Sequence, residues 1–148
     1  MPEIIQIPTE RHAQLKALAS KLGLTINDTL GHLIRQEIAK GTIPDTIPGF
    51  VLEAASGGVQ VGFENEPFVS LTRDAALSLA DTIETIVRGD LKSILNADAG
   101  LIEVTRVGTG IKIALFHGGS RVVSRDVARD IAGIVRRAAD RLPSSGLL

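Results

Sequence analysis

The chain has 148 residues and a net charge of −1, a length that fits one compact domain or two small ones. Hydrophobic residues make up 44% of it, enough to bury a core, while the small net charge excludes a polybasic protein held on nucleic acid by total charge. The chain has no Cys, Trp or Tyr, which excludes disulfides, thiolate metal sites and thiol catalysis and argues against base stacking on aromatic rings.

The sequence shows no signal for export or membrane insertion. No apolar stretch approaches the ~18 residues that span a bilayer. The N-terminus carries Glu3 and lacks a basic start before an apolar run. We therefore expect a soluble, cytoplasmic protein with no membrane partner.

The first residues predict a short strand. Ile5 and Ile7 alternate with Ile4 and Gln6, which is the period-two pattern of a strand, and Pro8 ends it.

Capping residues predict two helices after that strand. Thr9 is expected to cap the first helix, which ends at Gly23, and Thr25 to cap the second, with Asp28 in its first turn and Gly41 at its end. A strand and two helices in about 40 residues cannot form a core alone. We therefore expect a two-fold dimer in which the strands pair and the helices interlock.

This pattern resembles the ribbon-helix-helix (MetJ/Arc) superfamily over roughly residues 2–41. Its strongest element is the Gly-x-Thr-x-Asn turn from Gly23 to Asn27, and the strand with the following Pro8-Thr9-Glu10 adds to it. The resemblance implies an intertwined β-α-α homodimer that places a two-stranded ribbon in the major groove of double-stranded DNA. It also implies transcriptional regulation, most commonly repression.

The resemblance places the base contacts on the ribbon. If Ile5 and Ile7 face the core, then Ile4 and Gln6 face the DNA, with Pro2 at the edge. Gln can bond adenine bidentately, and Ile can meet a thymine methyl group. The ribbon has no Arg or Lys, unlike a typical family member, which argues against guanine-specific readout. The alternative is a dimerisation module that does not bind DNA.

The start of the second helix is the expected phosphate contact. Members of the family clamp a phosphate with the backbone N–H groups found here at Thr25, Ile26 and Asn27, where the helix dipole is positive. Lys21 lies just before the turn and could add a contact, whereas Asp28 would repel a phosphate. The side chains of Thr25 and Asp28 are equally explained as plain capping residues.

The rest of the chain repeats itself. Residues 50–87 align with 102–139 at a constant offset of 52, without a gap, in apolar positions and turn residues. Each copy predicts three short strands and a helix, capped by Thr72 in the first copy and by Ser124 in the second. We expect the copies to pack as a pseudo-two-fold pair.

We therefore predict an α+β protein with an N-terminal ribbon-helix-helix segment and a C-terminal domain of duplicated β-β-β-α units. The predicted boundaries are 1–41 for the dimerisation and DNA-binding segment, 42–49 for a linker, 50–142 for the duplicated domain (units 50–92 and 102–142) and 143–148 for a tail.

Charge separates the parts of the chain. Residues 1–48 are neutral, residues 49–100 carry three basic against eight acidic residues, a net −5, and residues 101–148 carry eight basic against four acidic residues, a net +4. Arg125, Arg129 and Arg136 form a basic stripe on the last helix. Three interpretations of this stripe are open. It is a second contact with the DNA backbone, it pairs with the acidic copy in the same or a neighbouring chain, or it is a solvated face.

Enzyme signatures are absent from the sequence. It has no phosphate-binding Gly-rich loop followed by Lys-Ser/Thr and no Gly-x-Ser-x-Gly motif, and His12, His32 and His117 lack ligand spacing. We therefore expect no catalysis, no metal and no cofactor.

The leading hypothesis is a sequence-specific DNA-binding regulator, expected to act as a repressor, whose C-terminal domain serves oligomerisation or sensing. The alternative is a structural or adaptor protein that oligomerises without binding DNA.

Overall fold

The chain folds into two compact units, Met1–Pro44 and Asp45–Leu148. The computed structural model describes residues 3–96, 102–116 and 118–143, so Pro2, His117 and residues 144–148 of the expected tail lie outside the described residues. The division between the units falls inside the segment predicted as a linker. No helix in the described ranges is long and apolar enough to cross a membrane.

The N-terminal unit contains two helices of equal length. Helix α1 covers Thr9–Leu22 and helix α2 covers Ile26–Ala39, separated by a tight turn. Gly23 adopts the left-handed conformation with φ 68°, and Leu24 N donates to Ala19 O at 2.9 Å, which closes α1 as a glycine C-cap does. A side chain other than glycine would be strained at this φ.

The predicted N-terminal strand is wrong. Residues 3–8 carry no regular secondary structure, so the chain begins with two helices followed by strands and not with β-α-α. The physical reason is that a strand is defined by a hydrogen-bonded neighbour, and alternation of side chains does not supply one. In the described part of this chain no strand lies beside residues 3–8. Helix α1 also starts one residue early, because Thr9 is its first residue and Pro8 is in the N-cap position.

The first copy of the repeat is a three-stranded antiparallel sheet followed by a helix. Its elements are β1 (Phe50–Ala55), β2 (Gly58–Phe63), β3 (Val69–Thr72) and α3 (Arg73–Arg88), with the strands in the order β1-β2-β3. Thr72 caps α3 by accepting a hydrogen bond from Ala75 N at 3.1 Å.

The second copy repeats these elements and adds one strand. Its elements are β4 (Ser93–Asn96), β5 (Ile102–Val107), β6 (Gly110–Ala114), β7 (Ser120–Ser124) and α4 (Arg125–Asp140), with the strands in the order β4-β5-β6-β7. Ser124 caps α4 as Thr72 caps α3, accepting from Val127 N at 3.1 Å. The prediction of two β-β-β-α units therefore missed β4, which pairs with the outer edge of β5.

One hydrophobic core joins the two copies. Helix α3 contacts β2 and β3 of its own copy and β4 and β5 of the other, while α4 contacts β6 and β7 of its own copy and β1 and β2 of the other. The helices also pack on each other. Each helix therefore covers strands of both sheets, as a pseudo-two-fold pair requires.

Opposite charges meet where α3 and α4 touch. Arg136 Nη2 lies 2.6 Å from Asp81 Oδ1 and 3.0 Å from Glu84 Oε1. At the repeat offset of 52, Glu84 and Arg136 are equivalent positions of the two copies. Pairing two identical copies here would bring like charges together, so the contact favours an acidic copy against a basic one.

Reversing this charge should destabilise the fold. We expect Arg136→Glu to lower the free energy of unfolding by about 1–2 kcal/mol, because three carboxylates would then share one site. Adding Glu84→Arg to the same chain should recover part of that loss, with a coupling energy of about 0.5–1 kcal/mol. Urea unfolding of both single variants and the double variant measures it, and purely additive effects would contradict the pairing.

Two equivalent glycines allow a comparison between the copies. A Cβ at Gly58 would overlap the carbonyl oxygen of Leu71, whereas a Cβ at Gly110 would lie 3.0 Å from the Val123 oxygen and 3.0 Å from a flexible methyl group of Val122. We expect Gly58→Ala to cost about 2–3 kcal/mol and Gly110→Ala clearly less. Urea unfolding measures both free energies. Equal losses of unfolding free energy would contradict the closer approach of backbone atoms at Gly58.

Candidate nucleic-acid interface

The segment before α1 is exposed. Ile4 is 93% exposed and Gln6 is also exposed, so both expected base-contacting side chains that the structure describes are accessible. Pro2, the third, lies outside the described residues. Ile5 and Ile7 were expected to face the core, but they are 79% and 44% exposed, because a single copy of this unit offers them no core to enter.

The turn between α1 and α2 organises the start of α2. Thr25 Oγ1 accepts a hydrogen bond from Asp28 N at 3.0 Å. The buried Thr29 donates its hydroxyl to Thr25 O at 2.8 Å and its backbone N–H to the same oxygen at 2.9 Å. This capped turn holds the helix end in one conformation, as predicted from Thr25.

Two backbone donors remain at this helix end. The N–H groups of Ile26 and Asn27 have no acceptor within the helix, because they belong to its first turn. Asn27 and Thr25 are exposed, Ile26 is half-buried, and Lys21 is exposed in the last turn of α1. These four expected phosphate-contacting residues therefore lie around one turn. The half-buried Asp28 sits in the same first turn, where its charge opposes an anion.

The N-terminal unit exposes an apolar surface. Only Ala19 and Thr29 are buried among its described residues. Six leucine and isoleucine side chains of the two helices and their turn are between 36% and 51% exposed: Leu18, Leu22, Leu24, Leu30, Leu33 and Ile34. A helical hairpin with so little burial does not stabilise itself. We call these six side chains the apolar face.

The basic stripe is largely occupied inside the C-terminal unit. Arg125 Nη2 donates to Val87 O, the carbonyl near the end of α3, at 2.5 Å. Arg136 binds Asp81 and Glu84 as described above. Arg129 lies 3.7 Å from Asp126 and its side chain is 55% exposed.

The stripe is therefore not a uniform free surface. Two of its three arginines contact the acidic copy of the same chain, which is one of the three interpretations that the sequence left open.

The hydrogen bond with Asp81 raises the pKa of Arg136 above its ordinary value, against the opposing effect of burial. A second hydrogen bond, from Nε to Glu84 Oε1 at 3.2 Å, adds to the increase in pKa. Arg136 thus remains positively charged throughout the accessible pH range.

The described residues contain no cluster that could hold a metal ion. No group of three or more His, Cys, Asp or Glu side chains comes together among them. His32 Nε2 lies 3.2 Å from Gln36 Nε2, one turn further along α2. His117 lies outside the described residues.

Sequence reasoning did not identify two surfaces. The apolar face was predicted as buried in a dimer, and its exposure in one copy follows only from the coordinates. The outer edge of β1, with a groove beside it, was not predicted, because β4 on the equivalent edge was not predicted either.

Comparisons with protein-family models, with curated proteins and with solved structures find no match to this chain.

The cap at Thr25 can be tested directly. We expect Thr25→Ala to destabilise α2 by about 1 kcal/mol, because Asp28 N loses its acceptor, and Thr25→Ser to retain most of the stability. Amide hydrogen exchange at Asp28 and Thr29 reads the helix end locally. Equal protection in the alanine and serine variants would contradict the capping role.

Proposed function

We propose that this protein is a DNA-binding regulator, acting as a repressor, that dimerises through its N-terminal unit. The observation that carries the proposal is the pairing of an unburied apolar face with a capped helix start in the same unit. The apolar face calls for a partner, and the helix start offers donors for a phosphate. The helical pair and its turn also resemble those of ribbon-helix-helix proteins.

A second copy is the simplest partner for the apolar face. Completing the burial of its six side chains would stabilise a dimer by roughly 1 kcal/mol for each, before the cost of association. Two-fold symmetry would place two α2 starts on one assembly, as a contact with two phosphates of a duplex requires.

The proposal makes no use of a strand before α1, because residues 3–8 form none. The exposed Ile4 and Gln6 are the side chains proposed to contact base edges, Gln6 through the hydrogen bonds that its amide can form with adenine. Backbone N–H groups at Ile26 and Asn27, together with Lys21, are proposed to hold phosphate.

The charge distribution limits the affinity of this contact. Residues 1–48 carry no net charge, and Arg125 and Arg136 are engaged within the C-terminal unit. A dimer would neutralise few phosphates, so the logarithm of its affinity should fall with the logarithm of salt concentration with a slope of only about −2 to −4. Several dimers along one operator would compensate for weak individual binding.

The alternative is a structural or adaptor oligomer without DNA binding. It is favoured by the internal use of Arg125 and Arg136, which removes basic side chains that a DNA contact could have used. In that case the apolar face serves assembly alone.

Fluorescence anisotropy with DNA from upstream of the protein's own gene tests the proposal. We expect binding that weakens with salt, and a Gln6→Ala variant that loses affinity for the specific site by about 1–3 kcal/mol while keeping its non-specific affinity. Absent or salt-independent binding at micromolar protein favours the adaptor. If Gln6→Ala loses the same affinity for the specific site and for non-specific DNA, Gln6 does not contact a base.

The dimer itself can be tested with matched charges. We expect Ile34→Glu to disrupt the N-terminal dimer contact and to abolish DNA binding, because the carboxylate would be buried in the apolar face. Gln36→Glu adds the same charge on an exposed position of the same helix and should leave both unchanged. Sedimentation velocity gives the mass and anisotropy the DNA affinity, and an Ile34→Glu chain that matches Gln36→Glu in both rules out this face as the dimer contact.

A further inference from the structure

Strand β1 has one open edge. Within the described ranges, β1 has β2 on one side and no strand on the other. Glu64 N donates to Gly49 O at 2.9 Å, so residues 49, 51, 53 and 55 direct their backbone groups toward β2. Leu52 and Ala54 therefore direct an N–H and a C=O each away from the sheet.

The equivalent edge in the second copy is covered. Strand β4 pairs antiparallel with β5, with Ile94 opposite Val104 and Asn96 opposite Ile102. The Asn96 amide donates to Thr82 Oγ1 on α3 at 2.6 Å. At this position, then, the fold takes an antiparallel strand whose alternate side chains face the helix.

The first copy has a groove where β4 would lie. The groove measures about 210 Å³, and Phe50, Leu52, Ile134 and Ala138 form its apolar wall. At the offset of 52 these four residues are the equivalents of the residues around β4, namely Ile102, Val104, Thr82 and Ile86. The groove therefore lies at the position in the first copy that is equivalent to β4 in the second.

Residues 45–47 border this groove without forming a strand: Asp45 binds Arg137 at 2.7 Å, and Ile47 O accepts a hydrogen bond from Phe50 N at 3.1 Å. Residues 41–44 stand at the offset of β4, but they form no strand and belong to the N-terminal unit. Gly41 has φ 82° after the end of α2, and Pro44 has no N–H to donate, so this segment is poorly suited to a ladder.

We propose that β1 of a second copy occupies this edge, antiparallel to the first about a two-fold axis at Leu52. Leu52 and Ala54 supply N–H and C=O groups to the ladder, with Leu52 opposite its own counterpart. Phe50, opposite Ala54, supplies its C=O alone, because its N–H is bonded to Ile47 O. Both strands keep their helix-facing side chains on one face, which joins two three-stranded sheets into one of six strands.

The strand suits self-pairing. In this register Glu53 lies directly opposite Val51 of the other copy, and the two Glu53 residues are diagonal neighbours about 8 Å apart between Cα atoms. Strand β1 contains no Lys and no Pro, two residues that block pairing at natural sheet edges. The inference stands on the C-terminal unit alone and is independent of DNA binding.

Cysteine cross-linking of the full chain tests the register, and the absence of native cysteine makes it clean. Val51 and Glu53 of opposing copies form a non-hydrogen-bonded pair with Cα atoms about 4.5 Å apart, within disulfide range. Like residues would lie about 8 Å apart, beyond that range. Mixing Val51→Cys with Glu53→Cys proteins under oxidation should therefore give a disulfide dimer that neither protein forms alone.

Two further variants complete the experiment. Val122→Cys, on the exposed edge strand β7, is the matched control and should give no dimer. Ala54→Pro removes one outward N–H and leaves the hydrogen bonds to β2 in place. When this substitution is added to both cysteine proteins, it should abolish the cross-link between them. Retained far-ultraviolet circular dichroism shows that the proline variant is folded.

Three outcomes would overturn the proposal. The first is a mixture that cross-links no more than Val122→Cys does. The second is cross-linking that survives Ala54→Pro in a folded chain. The third is a mixture that gives no cross-link although the chain binds a synthetic peptide with the β4 sequence. That result would assign the edge to a strand other than β1. If the cross-link forms but the protein does not bind DNA, the proposed function is overturned and this inference stands.

Discussion

The C-terminal unit depends on the contact between α3 and α4. Each copy of the repeat has a sheet with one face to bury and a single helix to cover it. Because each helix covers strands of both sheets, neither copy closes a core without the other. The pairing of Arg136 with Asp81 and Glu84 lies on this contact and makes it selective for unlike copies.

The same contact explains the charge distribution. The net charge of −1 results from a neutral N-terminal part and two oppositely charged copies. Inside the C-terminal unit the acidic and basic copies neutralise each other at Arg136, and Arg125 binds the end of α3 through Val87 O. The small net charge thus results from opposite charges on the two copies of one unit. It limits the strength of a DNA contact and does not by itself exclude one.

Much of this architecture was predictable because the signals are local. Gly23 and Thr25 delimit the two N-terminal helices through backbone conformation and a side-chain cap, which depend on a few neighbouring residues. The repeat offset of 52 predicted three strands and one helix in each copy, and the structure contains them. For the candidate interface, the capped start of α2 also follows from local pattern. The exposure of Gln6 does not, because Ile5 and Ile7, expected on the opposite face, are exposed as well.

The sequence by itself determined the helices, the side-chain caps at Thr25, Thr72 and Ser124, the duplication and the separation of charge between the copies. Only the tertiary structure decided which extended segments become strands, because a strand requires a neighbour that periodicity cannot supply. Thus Ile5 and Ile7 alternate without forming a strand, while the short β4 forms one because β5 offers it an edge. Tertiary structure also chose the partners of Arg125 and Arg136, since long cationic side chains reach acceptors distant in sequence.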